Sequence, residues 1–191
     1  MNWWHILILV FIFLLVCVAL FNPKLKLGGL FIKQLQVFYR YDNKVKTKAS
    51  SFLDIFTFII LPIVISCLIV WGFDYHFLAD QANIVLTVVS VLFSILFAIL
   101  SLITAKSSSN NKIELLVIKE TFVSTCTSTV SLLFSIVLLI IYCLIFNIVN
   151  SLVLNIFTNF ILIFLMHSLL LLIMVIKRFV IIYFKHIGGE N

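Results

Sequence analysis

The sequence predicts an all-α protein, a polytopic bundle of transmembrane helices, and three observations predict it. Of 191 residues, 64% are hydrophobic and 10% charged, with a mean hydropathy of +1.29, more apolar surface than a soluble domain of this length can bury. Five apolar runs approach the ~20 residues that a hydrocarbon core demands: Trp3 to Phe21, Phe52 to Phe73, Ile84 to Ala105, Ser128 to Val149 and Leu152 to Ile176. The cations, finally, fall only in alternate connections between these runs. Residues 1–191 therefore read as a single membrane domain, with no stretch left for a second folded one.

The first run has no preceding cation and no small-residue cleavage site after it, so it reads as a retained helix and not a signal peptide. If it lies along the interface, the count falls to four. Lipidation at Cys17 is disfavoured, because Val16 stands where such a site needs a small residue. Cys67 and Cys143 sit, like Cys17, inside apolar runs, and with Cys126 on the cytoplasmic side no disulfide framework is expected. Pro62 is expected to kink the second run. Asn150 and Ser151 alone separate the last two runs, which requires a tight hairpin with Asn147 and Asn150 as turn residues.

Lys24, Lys26, Lys33, Arg40, Lys44, Lys46 and Lys48 lie between the first two runs, Lys106, Lys112 and Lys119 follow the third, and Lys177, Arg178 and Lys185 follow the fifth. The positive-inside rule then puts the N-terminus outside and the C-terminus in the cytoplasm, in what is read as a bacterial inner membrane. Trp3, Trp4 and Trp71 fall at the outer ends of helices, the headgroup level that indoles prefer. On the cytoplasmic side the thirteen cations face only Asp42, Glu114, Glu120 and Glu190. Anionic lipid headgroups account for that excess, and no direct nucleic-acid binding is expected.

Two cytoplasmic elements stand out. The basic loop of residues 22–51 contains LFIKQLQVFYRY, in which Leu30, Phe31, Leu35 and Phe38 share a helical face; it lies on the membrane or packs on a partner. Its docking candidates are Phe31, Lys33, Phe38, Arg40, Lys44, Lys46 and Lys48. The second element, residues 106–127, has a Ser- and Asn-rich linker and then a helical pattern from Lys112 that runs unbroken through Val149. Such a helix is about 57 Å long, nearly twice the hydrocarbon thickness, so Ile113, Leu116, Glu120 and Phe122 project below the membrane. Lys112, Leu116 and Glu120 are its docking candidates. The tail, residues 177–191, is the third cytoplasmic piece.

Inside the membrane, Thr87, Ser90, Ser94, Phe97, Ser101 and Thr104 form a seam of small polar side chains on the third run, and Ser124, Ser128, Ser131, Ser135, Leu138 and Tyr142 another on the fourth. Small residues let helices approach closely, so both seams are read as helix or subunit contacts; the alternative is the lining of a water-filled path in an oligomer. Only His167 and Asp54 are ionisable within the runs, too few for a coupled transporter. His167 is expected as a neutral imidazole bonded to a neighbouring helix, with proton sensing as the alternative. Asp54 is placed at the inner interface, near Lys48. Asn155, Thr158 and Asn159 form a polar face that needs partners. No catalytic constellation, metal-ligand cluster or cofactor loop is visible, so no enzyme is expected.

A chain that is nearly all membrane, with the basic aromatic loop FYRYDNKVKTKASS and the segment KIELLVIKETF leading into a spanning helix, resembles the KwaA family, membrane subunits of the Kiwa anti-phage systems. The resemblance implies four membrane helices, where the runs count five. It also implies a homo-oligomeric membrane sensor that responds to envelope disturbance and engages a cytosolic effector protein. The competing expectation is a homo-oligomeric channel or holin-like effector.

Overall fold

The computed structural model describes residues 27–39, 48–105 and 112–188, and among them every regular element is a helix. Helix α1 is Leu27–Tyr39. Helix α2, residues 48–72, is composite: α-helical at Lys48–Ile55 and Leu61–Cys67, with wider π-helical turns at Phe56–Ile60 and Leu68–Gly72. Helices α3 (Ala79–Ala105), α4 (Lys112–Ile145) and α5 (Ser151–Gly188) complete the chain. Four segments are long and apolar enough to cross a membrane, at Phe52–Gly72, Ala79–Thr104, Leu115–Ile145 and Ser151–Val180. The protein is thus an all-α, multi-pass membrane bundle. The first apolar run, Trp3 to Phe21, lies outside the described residues.

Two boundaries differ from the sequence reading for local reasons, and the proline of α2 sits beside a widened turn. Helix α3 starts at Ala79, five residues before Ile84, because a polar first turn is capped: Gln81 Oε1 accepts the Leu78 N–H and the Tyr75 hydroxyl, both at 3.1 Å, and Asp80 sits at the positive end of the helix dipole. Helix α4 stops at Ile145, not Val149, since a two-residue link is at the short limit for antiparallel helices. The Ile148 and Val149 amides both fold back on the Ile145 carbonyl, and the Asn150 carbonyl takes the Val153 and Leu154 amides as α5 begins. In α2, Pro62 falls in the first turn of Leu61–Cys67, directly after a π turn; widening the helix accommodates the residue that has no N–H to return.

Packing orders the spanning helices α2–α5–α4–α3, each touching mainly its neighbour in that row, and α1 packs on α4 and the start of α2. Yet α2 and α3 are joined by residues 73–78 alone, a connection that reaches ~20 Å, about two helix spacings of 8–10 Å. The row therefore bends into an arc. That connection crosses the ends of α5 and α4: Asn155 Nδ2 donates to Asp74 Oδ1 at 2.9 Å, and the Tyr142 hydroxyl donates to the Phe77 carbonyl while the two rings meet edge-on. Asp74 takes a left-handed backbone, φ 49°, which a short polar side chain tolerates better than most. The core follows α4, where Leu132, Leu139 and Tyr142 pack with Ala82, Val89 and Leu96 of α3 and Ile161 of α5.

Candidate functional site at the basic end of the bundle

Helix α1 gathers the two segments that the sequence marked for docking. Gln34, Val37 and Phe38 are its buried residues, while Leu35 is 37% exposed, so the buried stripe is turned from the Leu30, Phe31, Leu35 and Phe38 face expected from periodicity. Phe38 stacks on Phe58 of α2 at 5.2 Å between centroids. At 2% exposure it packs within the chain.

Two hollows lie on the two sides of α1. On one side, Leu30, Lys33, Gln36 and Val37 face the ends of α3 and α4, with Thr104, Lys119, Glu120 and Phe122 across a cleft of about 920 Å³. Its rim is charged, for Lys33 and Lys119 are exposed. On the other side, Phe31, Gln34, Leu35 and Phe38 face α2 and α5 around a smaller cavity of about 210 Å³, bordered by Pro62 and His167.

At the larger cleft, Glu120 on α4 forms an ion pair with Arg178 on α5 at 3.5 Å, each 18% exposed. Asp54 of α2 acts on the same guanidinium. The ion pair ties α4 to α5 at their basic ends. Leu116 is half-buried on α4. Lys48 begins α2 and Lys112 begins α4, whereas Arg40, Lys44 and Lys46 lie outside the described residues.

Deeper in the bundle, several polar residues find partners within the chain. His167 Nδ1 lies 2.6 Å from the Phe58 carbonyl, the acceptor that a regular α-helix would offer to residue 62 and that Pro62 cannot serve. A carbonyl only accepts, so the proton sits on Nδ1. Ser66 donates to Asn159 Oδ1 at 2.6 Å, and Asn155 holds Asp74 as above, so both asparagines tie α5 to α2 and the connection after it.

The two hydroxyl seams separate. Ser124, Ser128, Ser131 and Ser135 of α4 are each 0% exposed; they face into the bundle, where Ser128 Oγ donates 2.9 Å to the Ser168 carbonyl of α5. Thr87, Ser90, Ser94, Phe97, Ser101 and Thr104 of α3 are all exposed, so among the described residues that seam is not a packed helix contact. Its five hydroxyls donate to carbonyls of their own helix at 2.8–3.1 Å.

Sequence reasoning missed Gln34, Pro62's relation to His167 and the role of Arg178. The segment LFIKQLQVF shows two glutamines, and nothing in it distinguishes Gln34 as the buried one. The other two depend on partners far away in sequence. Among the described residues, no three His, Cys, Asp or Glu side chains stand close enough to hold a metal ion. No protein-family model, curated protein or solved structure matches this chain.

Proposed function

We propose that this protein is a bacterial inner-membrane sensor and scaffold subunit that engages a cytosolic effector protein through the cleft between α1 and the ends of α3 and α4. The observation that carries the reading is the cleft itself. It is built from the two segments that the sequence set apart, and its rim carries Lys33 and Lys119 beside Glu120. The positive-inside rule turns this basic end to the cytosol, with the N-terminus outside and the C-terminus inside. The resemblance to the KwaA family supports a role in anti-phage defence.

In this reading the chain assembles with copies of itself through the exposed hydroxyl seam of α3. Because each hydroxyl there is already satisfied by its own helix, the seam tolerates lipid and asks for no water. Small side chains that permit close backbone approach favour a helix partner over a pore lining. The channel or holin-like alternative requires conductance, and a planar bilayer that shows single-channel current from the purified protein would establish it instead.

The test of the main reading is charge reversal at the cleft. Lys33→Glu with Lys119→Glu is expected to abolish co-purification of the cytosolic effector protein and to raise phage plating efficiency, with the membrane level of the protein unchanged. Retained co-purification and retained protection would overturn it.

A further inference from the structure

The smaller hollow is a site of a different kind. About 210 Å³ in volume, it is walled by Phe31, Leu35 and Phe38 of α1 and by Phe58, Pro62 and Ile63 of α2. It reaches the surface where Leu35 is 37% and Ile63 41% exposed, on the flank of a spanning helix. The opening therefore looks sideways toward lipid, not along the bundle axis toward water.

Water is a poor occupant of such a space. An apolar cavity of ~150 Å³ stays dry and takes up hydrocarbon instead, because a water molecule needs two to four polar partners. The walls here are aromatic and aliphatic, yet they include one unexplained polar group. Gln34 is 2% exposed, and both its amide nitrogen and its amide oxygen are buried without a hydrogen-bond partner. Among the described residues nothing uses that carboxamide, and a buried amide left unsatisfied is costly. The missing complement is a polar group attached to hydrocarbon.

We infer that the cavity between α1 and α2 binds one acyl chain of a membrane amphiphile, with Gln34 hydrogen-bonded to the ester or carboxyl group at the head of that chain. An ester carbonyl accepts from the Gln34 N–H, and a protonated carboxyl both donates and accepts. The acyl chain belongs either to a phospholipid or to a free fatty acid; the chemistry of the site is the same for both. The site does not rest on the docking role of the cleft on the other side of α1.

Photo-crosslinking in proteoliposomes of the full chain tests it, with one preparation carrying a phosphatidylglycerol that bears a diazirine in its acyl chain and another a diazirine fatty acid. The expected result is lipid adducts concentrated on peptides containing Phe31 to Phe38 and Pro62 to Ile63, and the probe that labels identifies the source. Ile63→Trp, which fills the mouth of the cavity from an exposed position, is expected to lower that labelling about tenfold, the equivalent of roughly 1.4 kcal/mol of binding. Labelling of the lipid-facing α3 residues Val88, Val91 and Ile95 is expected to stay constant and reports that the protein remains folded. Leu35→Trp closes the same mouth from α1 and is expected to act alike. Adducts on the α1 peptide no denser than on α3, or unchanged by both tryptophans, would overturn the proposal.

Discussion

At the scale of single residues, the bundle is held by polar groups that answer one another across helices. Pro62 leaves the turn before it short of one N–H, and His167 supplies a donor from α5 to the Phe58 carbonyl. Replacing His167 with Phe orphans that carbonyl in an apolar setting, at a cost of about 1–3 kcal/mol, which thermal denaturation of the purified protein would register as a lower midpoint. In a Pro62→Ala background the cost should shrink, because residue 62 regains an N–H to give. Equal losses in both backgrounds would separate the proline from the histidine. The ion pair at the basic end makes a second residue-scale prediction. Glu120→Gln keeps the shape and removes the charge facing Arg178, which is only 18% exposed, and should destabilise by roughly 1.5–3 kcal/mol, the range for hydrogen bonds to charged groups. Glu114→Gln, two turns nearer the start of α4, is the control expected to change little.

At the scale of helices, α4 is the most buried of the four spans and α3 the least. The serine seam of α4 is consumed by packing inside the bundle, whereas the seam of α3 looks away from the other described helices. Periodicity alone could not distinguish them: both present hydroxyls at three- and four-residue steps, and what differs is which face the neighbouring helices cover. The lengths of the spans were legible for a simpler reason, since lipid imposes a minimum apolar length that Phe52 to Gly72 or Ser151 to Val180 display openly. Helix starts were less so, because Asp80, Gln81 and Asn83 join α3 through a cap made by Gln81, not through hydropathy. The burial of Gln34 was illegible, being decided by the gap that the arc of helices leaves for α1. If the α3 seam joins subunits, single cysteines at Ser90, Ser94 or Ser101 in a background without the native cysteines should form disulfide-linked dimers under oxidation in membranes. A cysteine at Ser128, buried against α5, should not. The absence of dimers at all three α3 positions would remove that interface.

For the whole molecule, the governing feature is a division of labour between its two ends. At one end short connections close the bundle, with Tyr142 and Asn155 pinning residues 73–78 over α4 and α5. At the other end α4 and α5 extend beyond what a bilayer needs and α1 is wedged between the arms of the arc, which creates the cleft and its charged rim. Among the described residues the open end holds the charged-rimmed cleft on which the proposed docking rests, so the account stands or falls on the side of the membrane it faces. Cysteine accessibility decides this most directly, with single cysteines placed at Lys119 and at Asn147 in a background free of native cysteines and treated with a membrane-impermeant maleimide in intact cells. The account predicts that position 147 labels at once and position 119 only after the membrane is permeabilised; labelling of position 119 in intact cells would contradict it.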